Sequence, residues 1–143
     1  MADAKMSKVG DSDTRMHGER RVVACGYAPV EQEVLCEMVE HAGFADLPVV
    51  FCIPADGEVP LADIFAREDR YGMGEESRMP RAVILGGISE NELRTFMGAW
   101  RELGLPSQLW AVLTPHSETW TLRRLVTELQ REHKELQKQR KPR

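Results

Sequence analysis

The sequence predicts an α/β fold in which two βαβα repeats form a mainly parallel four-stranded sheet packed by helices. Short apolar runs bounded by glycine or proline predict buried strands, and segments with apolar residues at helical spacing alternate with them. The chain also resembles itself when it is shifted by 61 residues. A βαβ unit with so short a connection is expected to be parallel and right-handed.

The 61-residue shift aligns residues that mark the ends of elements, and it needs no gap. Glycines and prolines count most in this alignment, because they report backbone geometry. The matched pairs are Gly26 with Gly87, Glu31 with Glu92, Gly43 with Gly104, Pro54 with Pro115 and Leu61 with Leu122. An internal duplication explains them. The alternative is that any two βαβ units carry glycines and prolines at the ends of their strands and helices.

The boundaries of the chain follow from this alignment and from composition. Residues 1–20 are polar and are expected to be a disordered arm, and residues 21–143 are expected to form one domain. Within it we assign repeat one to 21–67, a charged connector to 68–80, repeat two to 81–129 and a charged helical tail to 130–143. The connector has no periodicity, so it is either a simple join or a functional loop.

In repeat one, Arg21–Gly26 and Leu47–Ile53 are the predicted strands, and Val59–Arg67 is a short predicted helix. Pro29 suits the first turn of the helix between the strands, which runs to His41. The side chains of this helix predicted to face the core are those of Val30, Val34, Leu35, Met38 and Val39.

Repeat two carries the clearer signals. Ala82–Leu85 and Leu109–Leu113 are apolar runs typical of strands, and Ser89 with Glu92 forms a capping box at the start of a helix. A twofold relation between the repeats would place Ala82–Leu85 beside Val22–Cys25 at the centre of the sheet. Ser117 or Thr119 can cap the last helix.

Composition bounds the class of protein. The chain has 143 residues, a net charge of −4 and three cysteines without CxxC spacing, so the sequence predicts neither a metal site nor a cofactor. An odd number of cysteines and no export signal favour the cytoplasm. No apolar run is long enough to predict a membrane span.

Ligands of open α/β sheets bind beyond the carboxyl ends of parallel strands, where four segments of this chain are expected to meet. They give the ligand-binding candidates, which are Tyr27, Gly86, Gly87, Ser89 and Thr114. The glycine pair before a helix could bind an anion. Two carboxylates in the first helical turn and the absence of a following lysine argue against phosphate there, and a tight turn is the alternative.

The catalytic candidates are His116, Ser117 and Asp56, all on loops that follow predicted strands. A histidine beside a hydroxyl or a carboxylate can serve acid–base or nucleophilic chemistry. The structural alternative is a surface histidine that helps to cap the next helix.

The last helix ends in a basic segment, with eight Lys or Arg against three Glu from residue 123 to 143. Acidic and polar residues are interleaved there without aromatics, which argues against nucleic-acid binding. A homodimer through an apolar helix face is the partner that the sequence suggests. That face consists of Leu122, Leu125, Leu129 and Leu136.

One block of repeat two resembles a known family. Its residues are Gly86-Gly87, Glu92-Leu93, Leu113-Thr114-Pro115, Trp120-Thr121, Leu125 and Glu128-Leu129. Over about residues 82–129 the chain is similar to a bacterial family of uncharacterised proteins, domain of unknown function 3783. The resemblance implies a bacterial, cytoplasmic source and carries over no catalytic residue.

Three functions are consistent with these observations. The favoured one is a non-catalytic binding, regulatory or protein-interaction module, because no complete catalytic constellation is present. The second is a small enzyme with a site around His116, and the third is a nucleic-acid accessory protein that uses the basic C-terminal helix.

Overall fold

The computed structural model describes residues 12–140, so part of the predicted arm lies outside the described residues. It confirms an α/β fold. The strands are β1 (Arg21–Cys25), β2 (Val49–Cys52), β3 (Ala82–Gly86) and β4 (Leu109–Val112), and the α-helices are α1 (Pro29–His41), α2 (Leu61–Ile64), α3 (Glu90–Glu102) and α4 (Leu122–Arg140). Two short 3-10 helices, Pro54–Glu58 and Ser117–Thr119, precede α2 and α4. Among the described helices, none combines the length and the apolar character that crossing a membrane requires.

The four strands form one mixed sheet in the order β2-β1-β3-β4. The outer pairs, β1 with β2 and β3 with β4, are parallel, whereas the central pair β1–β3 is antiparallel. The central strands lie side by side as predicted, and Val23 is opposite Ile84 at the middle of their register. Because β1 and β3 are antiparallel, the strands of the second half run opposite to those of the first. The carboxyl ends of the strands of the two halves therefore lie at opposite edges of the sheet.

Helices cover both faces of the sheet. One face packs against α2 and α4, and its core includes Cys25, Cys52 and Trp120. The other face packs against α1 and α3, and its core includes Phe44, Phe96 and Trp100. All strand positions in β1, β2 and β3 except Arg21 are buried. The strands are short apolar runs because both of their faces lie in a core.

The two halves also join beneath the sheet. The amide of Leu61 donates to the carbonyl of Trp120 (2.8 Å), and the amide of Leu122 donates to the carbonyl of Val59 (3.0 Å). These reciprocal bonds tie the start of α2 to the start of α4.

The connector 68–80 lies against the outer edge of β2. The amide of Phe51 donates to the carbonyl of Tyr71 (2.8 Å), and the amide of Arg70 donates to the carbonyl of Val49 (2.6 Å). The buried side chain of Gln32 donates to the carbonyl of Glu75 and accepts from the amide of Gly74. The connector therefore covers a sheet edge that would otherwise expose unpaired backbone groups.

Two local predictions need correction. The predicted helix Val59–Arg67 is helical only from Leu61 to Ile64, because the chain turns back after Phe65 to reach β2. Val30, predicted to face the core, is 69% exposed. The polar Gln32 holds a buried position on α1 instead, because its amide binds the connector.

A glycine at the end of β1 allows the two halves to approach closely. Gly26 has a φ of +80°, and a Cβ there would lie 2.5 Å from the carbonyl oxygen of Met79. Gly43 also has a left-handed backbone, with a φ of +97°, but a Cβ at this position would meet no atom of residues 12–140 within 4 Å. A substitution at Gly43 therefore measures the cost of the backbone conformation alone, without a steric clash. Gly43→Ala should lower the free energy of unfolding by about 1–2 kcal/mol, the usual cost of a left-handed alanine. Gly26→Ala should cost about 1–3 kcal/mol more, because it overpacks the junction.

Urea denaturation of both variants would measure this difference. Equal losses in the two variants would show that the contact between Gly26 and the residues before β3 does not constrain the fold.

Candidate ligand-binding site

Tyr27 follows β1 at the edge of the sheet where β3 and β4 begin. Its ring is buried, and the guanidinium carbon of Arg81 lies 4.6 Å from the ring centroid. The ring also packs on Trp100, with centroids 5.8 Å apart. The phenol donates a hydrogen bond of 2.6 Å to Oε1 of Gln108. Three separate segments of the chain therefore meet at Tyr27.

The hydrogen bond from Tyr27 orients the amide of Gln108. Burial raises the pKa of the Tyr27 phenol, so the hydroxyl remains protonated at neutral pH and acts as the donor. In the structure the amide oxygen of Gln108 faces Tyr27, and Nε2 is then the donor of this amide. This nitrogen is buried and has no hydrogen-bond partner within residues 12–140.

Arg81 directly precedes β3 and has a second buried donor without a partner. Its Nη2 pairs with Oε2 of Glu31 at 2.7 Å, while Nη1 makes no hydrogen bond in the described part of the chain. Glu31 also accepts the amide of Ala28 at the start of α1, 3.0 Å away. Burial acts to raise the pKa of Glu31, but the Ala28 amide and Arg81 outweigh it and lower the pKa. Glu31 is therefore a carboxylate at neutral pH.

Arg81 and Gln108 both line a cavity of about 290 Å³ beside α4. The polar side chains around it are mainly hydrogen-bond donors or amides, and two come from basic positions on α4. The lining residues are Pro80, Arg81, Ser107, Gln108, Leu109, Gln130, His133, Lys134 and Gln137. A second cavity of about 280 Å³ shares Pro80 and Gln130 and adds Arg78 and Arg123. We refer to the first cavity as the Arg81 cavity. Its composition suits a ligand that carries hydrogen-bond acceptors and negative charge.

A matching arginine lies at the opposite edge of the sheet. Arg20 directly precedes β1, and its two Nη atoms bind the carboxylate of Glu92 at 2.9 and 2.8 Å. Its Nε also donates to Asp46 at 3.2 Å, and Nη1 reaches the carbonyl of Gly87. The hydrogen bond with Arg20 lowers the pKa of Glu92 in spite of burial. All three nitrogens of the Arg20 guanidinium are therefore engaged within the protein.

The candidate residues on the glycine turn are occupied by the chain itself. The amide of Gly87 donates to the carbonyl of His17 (3.1 Å), and a Cβ on Gly87 would lie 2.7 Å from the carbonyl oxygen of Gly18. The hydroxyl of Ser89 accepts the amide of Glu92, as the capping box predicts. Residues 12–20 thus lie where a ligand of this turn would have to bind.

The catalytic candidates divide between the two edges of the sheet. Asp56 follows β2, where it pairs with Arg67 (3.1 Å) and accepts the amide of Ile53. Ser117 follows β4, and its buried hydroxyl is hydrogen bonded to both the amide and the hydroxyl of Thr114. The ring of His116 packs edge-on against Trp120, with centroids 5.3 Å apart. The expected convergence of the four strand ends is wrong, because β1 and β3 are antiparallel.

The leucines of the predicted dimer face differ in exposure. Leu122, Leu125 and Leu129 are buried against the sheet of their own chain, whereas Leu136 is 47% exposed. Association through the last helix stays a prediction, and Leu136 is the member of this set that is available for it.

Sequence patterns singled out Tyr27 but missed Arg81 and Gln108. One sequence signal could have pointed to Arg81. Arg20 and Arg81 stand 61 residues apart, and each directly precedes a central strand. Within residues 12–140, no group of three or more His, Cys, Asp or Glu side chains is arranged to hold a metal ion.

Residues 81–136 match the family model described as Domain of unknown function (DUF3783). This match confirms the resemblance seen over residues 82–129, and it includes Arg81, Gln108, His133 and Lys134. Tyr27 and Glu31 lie outside the matched range. The comparisons with curated proteins and with solved structures each gave no match.

The Arg20–Glu92 pair predicts a pH dependence of stability. The pKa of Glu92 is lower in the folded chain than its ordinary value of 4.5, so its contribution is present above that value and is lost as the pH falls through the folded pKa. Glu92→Gln should lower the free energy of unfolding at pH 7 by about 1.5–3 kcal/mol. It should also reduce the further loss between pH 7 and pH 3.

Urea denaturation at a series of pH values would test this prediction. Glu102→Gln, at the exposed end of α3, is the control and should change the stability by no more than about 0.5 kcal/mol. If the free energy of unfolding of Glu92→Gln falls with decreasing pH in parallel with that of the unmodified protein, the prediction is wrong.

Proposed function

We propose that this chain, whose residues 81–136 belong to the DUF3783 family, is a non-catalytic binding module with its ligand site in the Arg81 cavity. The observation that carries the proposal concerns two of the three buried side-chain atoms without partners in the described residues, Nη1 of Arg81 and Nε2 of Gln108; the third is Nη1 of Arg67. Arg81 and Gln108 line one cavity.

The energetic argument concerns unmade hydrogen bonds. A buried donor without an acceptor costs about 1–3 kcal/mol, so the two together oppose folding by several kcal/mol. A ligand with two acceptor groups would remove this cost once it reaches these two nitrogens, which are shielded from solvent in the structure. The site is preorganised, since Tyr27 fixes the amide of Gln108, and Glu31 and the Tyr27 ring fix the guanidinium. Preorganisation of this kind favours affinity, because few rotamers are lost on binding.

We also infer that residues 21–67 and 81–129 are two copies of one βαβα unit. Contacts that recur at the 61-residue shift support this inference. The pair Arg20–Glu92 corresponds to Arg81–Glu31, and the bond from Leu61 to Trp120 corresponds to that from Leu122 to Val59. The central register point, Val23 opposite Ile84, also joins residues 61 apart.

A bacterial and cytoplasmic setting belongs to the same proposal. All three cysteines are free and buried, which suits a reducing compartment. The family resemblance supports a bacterial source.

The binding function predicts that Gln108→Glu weakens ligand binding at least tenfold. Glutamate keeps an acceptor for the Tyr27 hydroxyl but replaces the Nε2 donor with an acceptor and adds negative charge. Gln139→Glu makes the same chemical change at an exposed position of α4 outside the cavity and is the matched control. The measurement is a thermal-shift screen with metabolite-sized polar compounds, neutral and anionic.

We expect at least one compound to raise the Tm of the unmodified protein and of Gln139→Glu, but not that of Gln108→Glu. At a ligand concentration of 100 Kd the stabilisation should be about 2.7 kcal/mol. Failure of every compound, or equal stabilisation of both variants, would overturn the assignment of the site.

A further inference from the structure

We propose that the outer edge of β4 pairs with β4 of a second copy of this chain, so that the two sheets join edge to edge in one dimer. This dimer goes beyond the proposed ligand binding and does not depend on it. The outer strands of the sheet are β2 and β4, and they differ in what lies beyond them.

The edge of β2 is covered by the chain itself. The connector 68–80 forms backbone hydrogen bonds with Val49 and Phe51, and all four residues of β2 are buried. In β4 only Ala111 is buried, and the other three residues of the strand are partly exposed. Proteins usually cover or blunt such an edge, because its unpaired backbone groups can pair with another strand.

The alternation of hydrogen bonds along β4 shows which backbone groups face away from the sheet. The amides of Leu109 and Leu113 donate to carbonyls at the side of β3, at 3.0 and 2.8 Å. Because alternate residues of a strand point to opposite sides, the amides and carbonyls of Trp110 and Val112 point outward. Within residues 12–140, no backbone hydrogen bond outside the β3–β4 ladder uses these groups.

Two copies of this edge are complementary when a twofold axis passes beside Ala111. Trp110 then lies opposite Val112 of the second copy, and the two residues exchange both of their backbone hydrogen bonds. The same exchange takes place on the other side of the axis, so every outward backbone group of the strand finds a partner. Each copy contributes the same patch, as a twofold interface requires.

The side chains beside the edge favour the same pairing. Trp110 and Val112 lie on the face of the sheet that α1 and α3 cover, and the Trp110 ring packs edge-on against Phe96 and Trp100. In the dimer this indole would cover Val112 of the second copy, and pairs of aromatic and β-branched side chains stabilise antiparallel strands. Ala111, on the other face, would lie opposite itself, where its small side chain suits the close spacing of a pair without hydrogen bonds.

Charge does not oppose the association of two copies. Residues 103–115 contain no acidic or basic side chain, although 29% of the whole chain is charged. Because the twofold axis places β4 against itself, a lysine or glutamate in the strand would lie near a like charge, and edge strands are commonly protected in this way. β4 lacks this protection, so the pairing partner that its edge fits is an uncharged strand such as its own.

Sedimentation equilibrium of the full chain would measure the association. An edge of four residues offers less contact than a standard interface of roughly 1,200–2,000 Å², so we expect a Kd of about 1–100 µM. Val112→Lys places a charge against the indole of the second copy and should raise the Kd by about tenfold or more. Val30→Lys makes the same change at a position of α1 that is 69% exposed and should leave the Kd within about threefold.

Hydrogen exchange of single amides, followed by NMR, would distinguish the β4 edge from any other interface. The amide of Trp110 is free in the monomer and bonded in the dimer, so its exchange should become faster when the unmodified protein is diluted through the Kd. The amide of Ala111 points to β3 in both states and is the internal reference, whose exchange should not change. This measurement tests the proposal even if Val112→Lys does not fold.

A dimer that Val112→Lys weakens, with protection of Trp110 that depends on concentration, would support the proposal. Three results would overturn it. The first is a monomer at every concentration up to about 500 µM, well above the expected Kd. The second is a dimer in which the Trp110 amide exchanges rapidly, since its interface must then lie elsewhere, for example on the last helix. The third is slow exchange of this amide at all concentrations, which would mean that the edge is paired within one chain.

Discussion

The structure depends on a pair of crossed ion pairs at the antiparallel centre of the sheet. Arg20 directly precedes β1 and binds Glu92 on α3, whereas Arg81 directly precedes β3 and binds Glu31 on α1. Each glutamate also accepts the amide at the start of its own helix, that of Ser89 or of Ala28. The start of each central strand is therefore fixed to the start of the helix in the other half. Charge-assisted hydrogen bonds of this kind are stronger and more directional than neutral ones.

The candidate site arises from a difference between two otherwise corresponding ends of the molecule. At one end, Asp46 completes the environment of Arg20. At the other end, Ser107 stands in place of Asp46, Nη1 of Arg81 has no acceptor within residues 12–140, and the basic end of α4 adds Lys134 to the cavity. The first half has no such helix among its described residues, since α2 ends at Ile64 and the chain returns along β2. The long α4 therefore supplies one wall of the cavity that has no counterpart in the first half.

Much of the fold could be predicted from sequence, because the signals are local. The capping box Ser89–Glu92 and the apolar runs mark elements that the structure contains. Strand direction could not be predicted, because a shift of 61 residues is the same whether a translation or a twofold axis relates the halves. The exposed Val30 and the buried Gln32 were also beyond prediction, since a long-range partner decides which of them is buried. The sequence placed Tyr27 among the ligand-binding candidates, but a donor without a partner can be recognised only in three dimensions.

The position of Gln108 is the strongest argument that the cavity is not a packing accident. The residue 61 positions earlier is Leu47, which is buried at the corresponding place before β2. The fold therefore accepts an apolar side chain there, and such a side chain carries no donor that needs a partner. A glutamine with an unpaired Nε2 is the less stable choice by about 1–3 kcal/mol, a large part of the roughly 5–15 kcal/mol that holds a typical domain folded. Arg81 lines the same cavity and also carries a donor without a partner within residues 12–140, and the proposed ligand would bind both side chains.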